Sequence, residues 1–166
     1  MKIVTIAALW ITLAAALSGT ASAAGPDANT LARGKYLVRI GGCNDCHTAG
    51  YAESGGKTPE ADWLAGSPVG YQGPWGTTYP ANLRLVMQSL TEEQWLKKAR
   101  AAMRPPMPWF NLAAATDADL RAMYHYIRSL GPKGEPAPAY AAPGTTVNTP
   151  YIVFVPQNLP KRAAAK

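Results

Sequence analysis

Cys43-Asn44-Asp45-Cys46-His47 holds both cysteines of this chain and one of its two histidines. On a helix, positions i, i+3 and i+4 share a face, so two thiols and an imidazole would point the same way. Three chemistries use such a cluster: a redox dithiol, a structural metal site and covalent haem attachment. A thioredoxin-like dithiol follows a strand within a βαβ unit, whereas here Gly41-Gly42 ends a helical pattern. A structural zinc site wants four ligands; this cluster offers three, and the other histidine, His125, is far away in sequence. Cys-x-x-Cys-His is a c-type haem attachment signature in its own right. Thiols on one helical face suit the edge of a planar macrocycle, with the imidazole ligating its central iron. We therefore read Cys43 and Cys46 as the covalent haem attachment and His47 as the proximal ligand, ahead of zinc or dithiol chemistry.

The start of the chain indicates where that chemistry takes place. Lys2, the apolar stretch from Ile3 to Leu17 and the small residues Ala21-Ser22-Ala23 form the charged, apolar and cleavage regions of an export signal. The stretch is shorter than the ~20 residues of a spanning helix, and an uncleaved anchor is the alternative. No stable membrane span is expected after cleavage. The 166 residues carry 16 basic and 10 acidic side chains, a net charge of +6. The basic residues are spread out without a Lys/Arg block, which disfavours nucleic acid as a partner and suits a mildly basic docking face.

The mature chain reads as one all-helical body with long loops. A first helix is expected from about Asn29 to Ile40, capped by Asn29 or Thr30, with Leu31, Gly34 and Val38 on one face. Gly34 costs a helix interior roughly 1 kcal/mol relative to Ala, so another helix is expected to cross close there. Residues 48–82 have no sustained periodicity but contain Trp63, Tyr71, Trp75 and Tyr79, so this loop is expected to wrap something. Thr91 to Gln94 forms a capping box for a second helix, with Leu90 and Trp95 at the spacing of a hydrophobic staple. A third helix follows Thr116, with Asp119 at the capping-box distance. Its core stripe is Leu120, Met123, Ile127 and Leu130, and Gly131-Pro132 ends it. No period-two alternation stands out before residue 150. Beyond residue 131 lie seven of the fifteen prolines and the run Tyr151-Ile152-Val153-Phe154-Val155. This extended segment is expected to lie in a groove, on the protein's own body or on a partner. Its basic end, Lys161, Arg162 and Lys166, is expected to stay exposed. The expected organisation is a signal peptide at 1–23, a haem domain at 24–131 and a Pro/Ala-rich tail at 132–166.

The Gly/Tyr-bearing first helix, "CNDCH", the Met-Pro loop in "PPMPWF" and the last helix ending "YHYIRSL" resemble a monohaem class I cytochrome c from about residue 27 to 131. "GPWGTTYPANL" and "RPPMPWFNL" further resemble haem domains of cytochrome c subunits of periplasmic alcohol, aldehyde or gluconate dehydrogenases. The resemblance implies a helical fold around one covalently bound haem c. It also implies a periplasmic location and redox protein partners: a dehydrogenase and a downstream cytochrome or oxidase.

A methionine or histidine opposite His47 gives electron transfer, while an open position favours ligand binding or catalysis. His125 lies nearly opposite the core stripe of its helix and is expected to face solvent. Met87 has no distinguishing context, and Met103 and Met123 read as packing. Met107 is held in an extended loop by Pro105, Pro106 and Pro108, which limits the entropy lost on fixing its sulfur. The resembled family also puts its distal ligand at the Met-Pro pair. Met107 is thus the expected second axial ligand, with Met103 the alternative. Thioether ligation and burial favour the reduced iron and a positive potential.

Weaker expectations attach to other residues. Tyr126 is expected to pack on Gly34, Trp63, Trp75 and Asn82 to donate to haem propionates, and the Pro59 carbonyl to hold His47 Nδ1. Plain packing is an equal reading for those donors. The chain is read as an exported electron carrier or electron-transfer subunit, not an enzyme by itself. The alternative is a haem-based sensor or small haem enzyme with an open or labile distal site.

Overall fold

A computed structural model describes residues 25–157; the expected export signal and the basic end at 161–166 lie outside them. The chain runs through α1 (Ala28–Ile40), α2 (Cys43–His47), a single 3₁₀ turn (Glu60–Asp62), β1 (Gly70–Gly73) and β2 (Gly76–Thr78). It continues through α3 (Leu83–Ser89), α4 (Glu92–Arg100), α5 (Trp109–Ala114), α6 (Asp117–Ser129) and β3 (Tyr151–Val153).

The helix pair α1/α6 is the foundation. Gly34 lets the two backbones meet: a Cβ there would lie 2.1 Å from the Ala122 carbonyl oxygen and 2.6 Å from Tyr126 Cβ. The expected crossing, and the Tyr126–Gly34 contact, are therefore present. Val38, Leu120 and Ile127 are wholly buried around it, with Met87, Trp95, Met123 and Tyr124 completing the apolar centre. Leu130, expected in the stripe, sits only at the edge of this core.

Helix ends follow local chemistry. The cap of α1 is Asp27, not Asn29 or Thr30; its carboxylate accepts from Thr30 N at 2.8 Å. Thr91 and Gln94 form the reciprocal capping box of α4 at 3.2 and 2.8 Å. Thr116 caps α6 by accepting from Asp119 N at 3.1 Å. The Asp119 carboxylate, instead of reaching back, accepts from Arg33 Nε at 2.9 Å and ties α6 to α1. Buried Arg84 closes the other end of α6, donating to Gly131 O at 2.5 Å, to Ala61 O at 2.8 Å and to Leu130 O. Leu130 is the C-cap of α6, so the guanidinium meets a carbonyl at the end where a helix leaves its acceptors unsatisfied, and it ties that end to the Ala61 carbonyl of the 3₁₀ turn.

The all-helical expectation needs correction. A three-stranded sheet lies beside the helices in the order β2-β1-β3, with β1/β2 antiparallel and β1/β3 parallel. β1 and β2 are four and three residues long, too short for alternation to register. Their connection is the two-residue turn Pro74-Trp75 between paired Gly73 and Gly76. The tail returns to this sheet. Ala141 bridges Thr77, and β3 pairs with β1 from Gly70↔Tyr151 to Gln72↔Val153. The apolar run thus docks on the protein's own sheet edge rather than in an enclosing groove. Tyr151 to Val155 remain exposed.

Candidate functional site

Gly42, at φ 67°, turns the chain out of α1 and directly into α2; a left-handed residue there is most readily glycine. The five residues of α2 are the Cys-x-x-Cys-His motif itself, so Cys43, Cys46 and His47 occupy positions i, i+3 and i+4 of a helix. Beneath them, buried Asn44 accepts from Thr48 Oγ1 at 2.8 Å, and the same hydroxyl accepts from Leu64 N at 2.7 Å. The motif is thereby locked to the following loop, while its own chemical groups remain available.

His47 Nδ1 lies 2.7 Å from the Ala81 carbonyl oxygen. A carbonyl only accepts, so this ring nitrogen carries the proton and Nε2 presents the lone pair. Desolvation holds the imidazole below its ordinary value against the opposing pull of Ala81, which keeps it neutral and ligand-competent at neutral pH. Ala81, not Pro59, is the orienting acceptor; the Pro59 carbonyl accepts from Asp62 N in the 3₁₀ turn. Burial pushes the Cys43 thiol up to about 11. Burial, followed by contact with Cys46, pushes Tyr71 up to about 12, so its hydroxyl stays protonated and donates to Cys46 Sγ at 3.5 Å.

Met107 lies between α4 and α5, half-buried. Its loop is tied to the sheet beside Cys46: Tyr71 and Thr78 are register partners, and Thr78 Oγ1 donates to Pro105 O at 2.8 Å. Contacts thus run from Cys46 through Tyr71 and Thr78 to within two residues of Met107. Met123 is nearly buried, as a packing residue should be, and Met87 is fully buried. Met103, also read as packing, instead lies past the end of α4 in the same loop as Met107 and is half-buried like it. His125 faces α4 at the surface, its Nε2 2.7 Å from Glu92 Oε2.

Two expected propionate donors are committed elsewhere. Trp63 Nε1 donates to Thr58 O at 2.8 Å. Asn82 caps α3 by accepting from Leu85 N at 3.1 Å, and its amide donates to Lys133 O and Glu135 O at 2.7 and 3.1 Å. Asparagine is a preferred N-cap residue, a signal that α3 begins there. Trp75 is different: its Nε1 is buried and has no partner among the described residues. An unpaired buried N–H calls for an acceptor, and a haem propionate is one. Two thiols and a neutral imidazole on one short helix, together with this orphaned donor, fit a covalently held haem. No three His, Cys, Asp or Glu side chains among the described residues are grouped to hold a metal ion by themselves, so the zinc alternative gains no geometric support.

Tyr71 and the Ala81 carbonyl were not singled out from the sequence. Tyr71 was visible only as one aromatic in a long loop, and a backbone acceptor leaves no side-chain signature.

Three relatives carry the name cytochrome c subunit of alcohol dehydrogenase (quinone). Those from Gluconacetobacter polyoxogenes and Komagataeibacter europaeus are each 28% identical over 123 residues, 66% of this chain and 24% of theirs. The one from Gluconobacter oxydans (strain 621H) is 29% identical over 127 residues, 70% of this chain and 24% of its own. The chain spans about a quarter of the length of these curated relatives. No solved structure matches it. The Cytochrome c family profile matches residues 31–131, the segment from α1 to the end of α6. The chain therefore belongs to the cytochrome c family, as a monohaem class I member with covalently attached haem c and a role in electron transfer.

Proposed function

We propose that this protein is an exported cytochrome that passes single electrons between a periplasmic dehydrogenase and a downstream cytochrome or oxidase. It would act as a soluble carrier or as the cytochrome subunit of the dehydrogenase. In this reading Cys43 and Cys46 would hold the haem covalently, and His47 and Met107 would ligate its iron. The carrying observation is the His47 geometry: Nδ1 committed to Ala81 O at 2.7 Å and Nε2 left free, on the same short helix as both thiols. Bound haem supplies an iron centre that gains or loses one electron. Ala81 orients the His47 ring and raises its basicity, as carbonyl partners of ligating histidines do. Trp75 Nε1 supplies a donor for a propionate, and Tyr71 donates to the Cys46 sulfur. With His47 and Met107 both holding the iron, the bound group would need little rearrangement to pass an electron, so the chain would be a carrier and not by itself an enzyme.

Export rests on the leader-like residues 1–23. No helix among the described residues is long and apolar enough to cross a membrane. The dehydrogenase partner is supported by the relatives' names. The division into leader, haem domain at 24–131 and tail at 132–166 belongs to the same reading. Haem staining after denaturing electrophoresis tests the attachment. The Cys43→Ala/Cys46→Ala double variant should lose the stained band and much of its folded population, because cofactor and fold are coupled. A stained double variant would remove these cysteines from the site.

A further inference from the structure

The cytochrome c match ends at residue 131, yet the segment beyond it grips the loop that carries Met107. The Arg104 guanidinium lies over the Tyr140 ring, 4.0 Å from its centroid. The Tyr140 hydroxyl donates to Trp75 O at 2.8 Å. The next residue, Ala141, exchanges backbone hydrogen bonds with Thr77 at 2.8 and 3.0 Å. The approach is so close that a Cβ on Gly76, already at φ +96°, would fall 2.2 Å from Ala141 O. From the neighbouring position of β2, Thr78 Oγ1 donates to Pro105 O at 2.8 Å. Arg104 and Pro105 are thus held from two directions by one connected set of contacts. Met107 N donates back to Arg104 O at 3.3 Å, and Trp109 N donates to Met107 O at 2.8 Å. Whatever holds Arg104 therefore limits where Met107 can go.

We propose that Tyr140 is a positioning residue for the distal ligand, clamping the 104–108 loop so that the Met107 sulfur stays on the iron. The proposal rests on Met107 being that ligand. A thioether is a weak, neutral donor, so its retention depends on how rarely the loop lifts away. Arg104 must leave the Tyr140 ring for the loop to lift, and that contact therefore biases the equilibrium toward the closed loop. An external ligand competes only for the open form, so its apparent affinity reports the open fraction directly. The tail, outside the family match, would then set the lability of the axial site.

Cyanide titration of the ferric, haem-loaded full chain measures this. Tyr140 is already 40% exposed, so its replacement leaves the core intact. Tyr140→Leu removes the ring beneath Arg104 and the hydroxyl on Trp75; it should tighten apparent cyanide binding about tenfold. The red absorption of methionine-ligated ferric haem should weaken in parallel. Tyr140→Phe keeps the ring and should give an intermediate change of about threefold. Thr149→Val cuts a different anchor of the same tail, the 2.5 Å contact with Tyr79, and should leave cyanide binding at the wild-type level. Wild-type cyanide affinity in Tyr140→Leu, with Met107→Ala losing the red absorption, would overturn the clamp and leave the ligand standing. An equal gain in Thr149→Val would reduce Tyr140 to one of several interchangeable tail anchors and overturn its specific role. Retention of the red absorption in Met107→Ala would remove the ligand assignment, and the clamp with it.

Discussion

Glu60 shows how single residues on unrelated segments bind the first and last helices to the loop between them. One carboxylate oxygen takes the Lys35 ammonium of α1, and the other accepts from the Tyr126 hydroxyl of α6 at 2.8 Å. The Lys35 contact, reinforced by Tyr126, holds the Glu60 carboxyl below its ordinary 4.5, while burial and the same carboxylate raise Tyr126. A carboxyl with a lower pKa folded than unfolded binds fewer protons in the native state. Its contribution is therefore present above the ordinary carboxylate range and is lost as pH falls through the depressed folded value. Urea midpoints measured between roughly pH 3 and 6 should fall with acidification, and Glu60→Gln should flatten that fall. It should not abolish it, because Asp119 is also lowered, by Arg33. A Glu60→Gln protein with the wild-type pH slope would exclude Glu60 from the linkage. None of these partners was legible beforehand: Glu60 and Tyr126 are 66 positions apart, and charge pairing at that separation has no local pattern.

At the scale of elements, legibility followed the range of the interaction that makes each element. The capping box of α4 and the Thr116 cap of α6 are contacts over three residues, and both were readable. The α1 start was misplaced because Asn29, Thr30 and Asp27 are all good caps; the aspartate is the one that reaches the Thr30 N–H. Gly34 was readable as a close crossing, and the structure supplies the partner. Gly34→Ala gains about 1 kcal/mol of helix propensity but drives a methyl into the Ala122 carbonyl, a backbone group that cannot swing aside. A net loss of about 1–3 kcal/mol is expected from overpacking. Thermal melting checks it; an unchanged or raised midpoint would mean that α1 and α6 separate easily. The strands were unreadable for the opposite reason. β1 is defined by partners on β2 and, after a return through four helices, on β3, and none of the three is long enough to show its period.

The whole molecule is closed by its tail. Lys133 and Glu135 carbonyls accept from the Asn82 amide, Ala141 pairs with Thr77, and β3 completes the sheet. Truncation after Gly131 should leave haem attachment intact, because Cys43, Cys46 and His47 all precede it. It should also leave the Asn82 amide without acceptors, at a cost of about 1–3 kcal/mol, and remove the cover from β1. Loss of thermal stability, followed by tryptophan fluorescence, is the expected result. A truncated protein that melts like the full chain would make the tail a dispensable linker despite these contacts.

What the sequence determined by itself is the chemistry of α2. Five consecutive residues place two thiols and an imidazole on one helical face, and the paired glycines at 41 and 42 stop one helix and start the next. Local caps likewise fix the starts of α4 and α6. Tertiary structure alone decided which ring nitrogen of His47 carries its proton, which indole is left without an acceptor, and what holds the Met107 loop. Each depends on atoms brought together from distant segments: Ala81 on His47, Thr78 on Pro105, Tyr140 on Trp75. Spacing encodes geometry along a helix because its period is fixed, whereas contacts across the fold exist only after every intervening element has found its place.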